Sequence, residues 1–236
     1  MLKKSTKADW EQYWSLENHQ PQVIHKELLE NLQKAVDIKG KKILEIGAGM
    51  GGDSLFLAKK GAKVTVLDFS PKALEKIKTS TKQKKVEIQT VLADAKEIPF
   101  PNETFDIVFH QGFLEHFAEP EALLKEQCRV LKKNGFLVAD VPQKYTTYTV
   151  KKHIAMWRGK WFAGWEKEYA IGELEELLKK CGFRIINSYG WGYYGKLHKI
   201  RRLKIGECYE KIWGKIEKSR LALYLTFSIG TIAQKR

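Results

Sequence analysis

Leu44-Glu45-Ile46-Gly47-Ala48-Gly49-Met50-Gly51-Gly52 packs four glycines behind a short apolar run. The apolar run 42–46 reads as a short buried strand. It enters a glycine-rich turn, and the residues that follow, 51–60, read as a helix ended by Gly61. Glycines let the backbone turn sharply and approach a ligand closely. Strand, glycine turn and helix in that order make the first unit of a nucleotide-binding α/β domain. Gly47, Gly49 and Gly52 also satisfy G-x-G-x-x-G, so the turn alone does not separate one adenosine cofactor from another.

Working outward, strand and helix signals alternate. Residues 63–67 read as a second strand, and Ser70-Pro71 opens a helix as N-cap and first helical residue. Further strands are predicted over 86–92, 105–109, 136–141, 183–189 and 223–233. Helices are predicted over 119–131 and 171–180, the latter closed by Gly182, and Asn134-Gly135 makes the turn into the fifth strand. Upstream, 21–37 is amphipathic, with Val23, Ile24, Leu28, Leu32 and Val36 at helical spacing. Repeated βα units imply a mostly parallel sheet with right-handed crossovers and a ligand at the carboxyl ends of its strands.

A chain of 236 residues suits one such domain, and 43% hydrophobic with 30% charged residues suits a globular one. Cys128, Cys181 and Cys208 lie far apart and form no CxxC, which argues against a zinc site or a disulfide framework and fits a reducing compartment. No apolar stretch follows the basic first residues, and the uncharged run 221–234 is too short to span a bilayer. The expected location is the cytoplasm. The net charge of +14 is uneven: residues 1–140 carry +2, whereas 196–236 carry +8. The excess therefore lies outside the glycine-turn half, where an anionic substrate, a lipid headgroup or a nucleic acid could dock, or where lysines simply cover a solvated face.

Three groups carry the chemistry. Asp68, at the end of the second strand, can accept both hydroxyls of a ribose. Asp94-Ala95 closes the third strand and can meet an adenine edge. The fourth strand runs through His110-Gln111 and turns at Gly112 towards His116.

These residues together resemble the class I S-adenosylmethionine (SAM)-dependent methyltransferases of small molecules, in particular the ubiquinone/menaquinone-biosynthesis group. The resemblance covers about residues 40–142, through LEIGAGMGGDS at 44–54, VTVLDFSPKALE at 64–75, VLADAKEIPFPNETFDIVFHQGFLEHF at 91–117 and RVLKKNGFLVADVP at 129–142. It implies a Rossmann-like α/β fold: a seven-stranded, mostly parallel sheet with helices on both faces and an antiparallel last strand beside the sixth. It implies SAM as cofactor and S-adenosylhomocysteine (SAH) as product. Glu45, Gly47, Ala48 and Gly49 would surround the methionine end. Asp68 and Phe69 would hold the ribose and flank the adenine, and Asp94 and Ala95 would read the adenine edge. His110 and Gln111 would sit near the sulfonium, although the family usually has small residues there. The whole chain would be one domain: cap helices over 1–38, the SAM core over 39–142, and substrate-side insertions over 143–170 and 191–220.

Methyl transfer is an in-line displacement, and a general base is needed only when the acceptor attacks in its protonated form. The candidates are His116, His110 and His19. Trp10 is expected to pack at the sheet edge, whereas Tyr13 and Trp14 are placed on the substrate side with His19. Tyr145, Tyr148 and Trp157, in an aromatic and lysine-rich insertion, could bind a planar or anionic acceptor. No metal ligand set is read. The acceptor is taken as a small molecule, anionic or aromatic. Residues 196–220 read as a basic helix that could lie on an anionic membrane or pack on the domain. Three rival readings stand. One is a short-chain NAD(P) oxidoreductase, suggested by the spacing of Tyr148 and Lys152. Another is a tRNA/nucleic-acid or lipid-directed methyltransferase, suggested by the basic C-terminal part, although no base-flipping signature is present. The third is a non-catalytic binding module that keeps the glycine turn without a usable acceptor pocket.

Overall fold

The computed structural model describes residues 6–15, 22–161, 166–193, 215 and 219–236. His19 and nearly all of the basic stretch 196–220 lie outside the described residues.

The elements follow in order: α1 (Lys7–Ser15), α2 (Lys26–Ala35), β1 (Lys42–Ile46), α3 (Gly52–Lys59), β2 (Lys63–Asp68), α4 (Pro71–Lys84), β3 (Gln89–Leu92), β4 (Phe105–Gln111), α5 (Pro120–Val130), β5 (Leu131–Pro142), α6 (Thr147–Trp157), α7 (Ile171–Lys180), β6 (Phe183–Tyr193) and β7 (Thr226–Lys235). The sheet order is β3-β2-β1-β4-β5-β7-β6. The first five pair in parallel, and β7 runs antiparallel to both β5 and β6. This is the seven-stranded Rossmann-like sheet that the glycine turn and the βα alternation imply.

Strand alternation builds a core on each face. Ile43 of β1, Val64 and Val66 of β2, and Ile107 and Phe109 of β4 meet Leu28, Leu29 and Leu32 of α2, Leu57 of α3 and Ile77 of α4. Leu44, Ile46 and Val108 point the other way, to Leu123 and Leu124 of α5 and Leu174 and Leu178 of α7. The carboxyl ends of β1, β2 and β4 are thus held at a common height, which positions the site.

Ser70 caps α4 as read, its hydroxyl accepting the Ala73 N–H at 3.1 Å with Pro71 in the first turn. Several elements differ from the sequence reading. The fifth strand begins at Leu131, so Asn134-Gly135, expected as the turn before it, lies inside it with Asn134 at φ 60°. The last strand is Thr226–Lys235 rather than 223–233. The third strand begins at Gln89 rather than 86, because Lys85 takes a left-handed conformation (φ 52°) and Val86 N–H still bonds the Thr81 carbonyl of α4. The amphipathic segment 21–37 becomes helical only at Lys26; its first residues form an extended strap that packs on α3. The aromatic insertion contains a helix, α6, capped by the Thr146 hydroxyl, which accepts the Thr149 N–H at 3.2 Å.

Candidate active site

A cavity of about 810 Å³ opens at the carboxyl ends of β1, β2 and β4, within the range of small-molecule sites. Its floor is the glycine turn. Gly47 and Gly49 have φ of 66° and 53°, a region L side chains rarely enter. A Cβ on Gly47 would also lie 2.7 Å from the Phe113 ring, and one on Gly49 would lie 3.3 Å from Trp14. Below the turn, buried Glu45 accepts the Ser54 hydroxyl. Burial, and then the Asp53 carboxylate nearby, raises the Glu45 carboxyl well above its usual range.

Asp68 ends β2 on the cavity wall. Its Oδ1 accepts the Ser70 N–H at 2.9 Å. Burial raises it to about 6, against the lowering effect of the Ser70 and Phe69 N–H groups. Phe69, Asp94 and Ala95 continue the same wall. The carboxylate of Asp94 meets Lys7 of α1 at 3.0 Å and accepts the Lys96 N–H at 3.0 Å. Although partial burial opposes it, these donors hold Asp94 below the usual carboxylate range.

The helix α1 roofs the cavity. Trp10 stacks edge-on against His116 with ring centroids 4.9 Å apart, Glu11 accepts the Ser70 hydroxyl, and Lys76 donates to the Trp14 carbonyl. Tyr13 and Trp14 both line the cavity. Trp10, expected at the sheet edge, is on the cavity wall as well.

The structure therefore brings together Glu45, Gly47, Ala48, Gly49, Asp68, Phe69, Asp94, Ala95, Gln111, His116, Tyr13 and Trp14 around one space. Four of the sequence candidates lie elsewhere. His110 is fully buried and absent from the cavity wall, because alternation along β4 turns it to the α5 face with Val108 while Gln111 emerges at the strand end. Burial pushes it down to about 4, so its ring is neutral at physiological pH. Tyr145 is 61% exposed and lies near the Tyr224 ring, and Trp157 is 85% exposed at the end of α6. Tyr148 packs edge-on against Phe227 and Trp161. Tyr148 and Trp157 belong to α6, whose buried residues include Lys152, its ammonium meeting Glu166 at 3.1 Å and Glu168 at 3.2 Å. That ion pair also occupies the lysine of the oxidoreductase-like Tyr148/Lys152 spacing.

Several cavity residues escaped the sequence reading, among them Phe113, His25 and Asp53. His25, in the strap before α2, lines the cavity beside Asp53 of α3. Its Nδ1 is 2.7 Å from Asp53 Oδ2, and its N–H donates to Asp53 Oδ1 at 2.8 Å. Asp53 in the first turn of a helix reads as a dipole partner, and nothing in the sequence joins it to a histidine 28 positions earlier.

Residues 44–139 match a family described as "Methyltransferase domain". That span runs from β1 into β5 and holds the glycine turn, so this part of the chain is similar to methyltransferase domains. The chain is 32% identical over 146 residues to 2-methyl-6-phytyl-1,4-hydroquinone methyltransferase 2, chloroplastic, of Oryza sativa subsp. japonica, a match covering 61% of this chain and 39% of that protein. The chain thus spans about two fifths of the length of that relative. It is 27% identical over 174 residues to the ubiquinone biosynthesis O-methyltransferase of Cereibacter sphaeroides, covering 72% of this chain and 70% of the other. Among solved structures it resembles magnesium protoporphyrin IX methyltransferase from Synechocystis PCC 6803 with bound SAH. The TM-score is 0.64 at 15% identity, covering 97% of this chain and 93% of that one, and this likeness carries the fold alone. The methyltransferase cofactor is SAM, and the cavity fits it: a floor that any Cβ would fill, a carboxylate at the end of β2 and a lining rich in acidic groups.

Proposed function

We propose that this methyltransferase moves the SAM methyl group to an O, N or C atom of a small molecule by in-line displacement. SAM supplies an electrophilic methyl on a cationic sulfonium. The protein's part is to hold donor and acceptor in line and to exclude water. Glu45, Gly47, Ala48 and Gly49 cradle the methionine end, Asp68 accepts the ribose hydroxyls, Phe69 covers the adenine, and Asp94 and Ala95 meet its edge. Gln111 closes the sulfonium side.

The observation that carries this reading is the acidic group at the start of α3. Asp53 stands in its first turn, on the cavity wall. A dinucleotide would put its diphosphate at that helix N-terminus, against the Asp53 carboxylate, whereas the ammonium of SAM is attracted there. Calorimetry tests this: binding of SAM and SAH with no binding of NAD(H) is expected, and the reverse would overturn the reading.

The acceptor side is aromatic: Tyr13, Trp14 and Phe113 line the cavity. We assign Tyr13 and Trp14 to the acceptor and take it to be a planar small molecule. The names of the relatives, a hydroquinone methyltransferase and an O-methyltransferase of ubiquinone biosynthesis, support that class. The free thiols of Cys128 and Cys181 support a reducing, cytoplasmic setting. No helix among the described residues is long and apolar enough to cross a membrane. Contact with an anionic membrane, through the basic stretch 196–220, rests on charge alone.

A further inference from the structure

We propose that His25, oriented by Asp53, is the general base that takes the proton from a hydroxyl acceptor, so that the acceptor class is a phenol or comparable acidic hydroxyl. The proposal rests on the methyltransferase reading above and extends it to the acceptor.

The geometry comes from the strap. Gln22 Nε2 donates to the Met50 carbonyl at 2.8 Å, which ties the strap to the glycine turn. Two hydrogen bonds then fix His25 on Asp53, one from its backbone N–H and one from its ring. With Nδ1 committed to Asp53, the proton on that nitrogen is held there and Nε2 is left as the basic nitrogen. A carboxylate placed behind an imidazole sets its tautomer and stabilises the imidazolium that forms when it takes a proton. The ring also lies against Trp191, with centroids 5.6 Å apart, and is 17% exposed. His25 is one of the cavity-lining residues.

The surroundings keep this histidine basic. Burial lowers its affinity for a proton, but Asp53 from α3, Asp140 from β5 and Glu27 of α2 outweigh burial and raise it. Asp140 is itself held by Trp191 Nε1 at 3.0 Å and by the Ser228 hydroxyl at 2.6 Å, with Tyr189 of β6 beside it. Glu45 of β1 lies near Asp53. Among the described residues, no lysine or arginine counts among the groups that shift His25. His116, the other histidine on the cavity wall, is pushed by burial down to about 4 and is a far weaker base.

The acceptor O–H proton passes to His25 Nε2. An oxygen lone pair forms the new O–C bond at the methyl carbon as the S–C bond breaks, and that electron pair stays on sulfur, leaving neutral SAH. The imidazolium then releases its proton to solvent.

The test uses 4-nitrophenol, whose ionised form absorbs at longer wavelength than the neutral form. It is bound to the full-length protein with SAH present, one pH unit below the phenol's own pKa. The bound phenol is expected to be at least about threefold more ionised than the free phenol, because a neighbouring base favours the charged form. His25→Gln should return it to the free value with SAH affinity unchanged, and Asp53→Asn should give an intermediate one. An ionised fraction equal to that of free phenol in the wild type, or one unaffected by His25→Gln, would overturn the proposal. So would a loss of SAH affinity in His25→Gln with the phenolate band retained, which would make His25 a donor to the methionine carboxylate. Absence of SAH binding to the wild type would bring down the methyltransferase reading itself, and the proposal with it.

Discussion

A methyl group on Gly52 would lie 1.9 Å from the Val23 carbonyl oxygen. No rotamer relieves such an approach, since both atoms belong to backbone-anchored positions, so the strap and the first turn of α3 touch only because residue 52 has no side chain. Gly52→Ala should therefore displace the strap, lower folding stability by about 1–3 kcal/mol as overpacking does, and weaken SAH binding. Denaturant melts and calorimetry on the same variant measure both.

Asp68 gives a prediction with a pH sign. A ribose hydroxyl donates to it best when it is ionised, and the folded ligand-free protein holds it protonated below about 6. SAH affinity should rise as pH increases through that value and level off above it. Asp68→Ala should cost about ten- to a hundredfold in affinity, the range for hydrogen bonds to a charged partner, and should flatten the pH dependence. Calorimetric titrations between pH 5 and 7.5 would show it; an unchanged Kd would remove the ribose assignment.

His110 should make the protein acid-labile. Its ordinary value of 6.5 falls to about 4 on burial, so between these the unfolded chain binds more protons than the folded one. Its stabilisation is fully present above pH 6.5 and is lost as pH falls towards 4, by up to about 3 kcal/mol. Asp140, raised by burial to about 6, works in the opposite sense over pH 4 to 6, so the comparison must be made against the wild type. His110→Leu should lose less stability than the wild type between pH 6.5 and 4.5, measured by urea midpoints.

Two tryptophans separate roof from surface. Trp14 sits over Gly49 and under Lys76, whereas Trp157 is 85% exposed. Trp14→Ala should weaken SAH binding and slow methyl transfer. Trp157→Ala should leave both unchanged and shift stability by no more than about 0.5 kcal/mol. Equal effects from the two would contradict the roof.

The strands and the glycine turn were readable because their signals are local: period-two burial, a Ser-Pro cap, glycines where φ is positive. Glu45, Asp68 and Asp94 were readable for the same reason, since each sits at or next to a strand end and parallel strands bring their ends together. The facing of side chains was harder. His110 and Gln111 are adjacent in sequence, yet one residue of alternation sends the first into the α5 face and the second into the cavity. The aromatic residues of α6 carry no mark of which way they will face. The pairing of His25 with Asp53 depends on a strap crossing α3 at a glycine, a contact with no local pattern.

The antiparallel strand β7 has a consequence for how the chain is made. Spatially it separates β5 from β6, but in the chain it follows both. During synthesis, β6 and α7 leave the ribosome before the strand that joins them to the parallel five exists. Until residues 226–235 arrive, the open edge of β5 offers Asp140 no Ser228 hydroxyl, and β6 has no neighbour in the sheet. A ribosome stalled before residue 226 would thus hold a nascent chain whose glycine turn can already form while the wall behind His25 is still unbuilt. Such a chain is a natural client for chaperones that recognise unpaired strands.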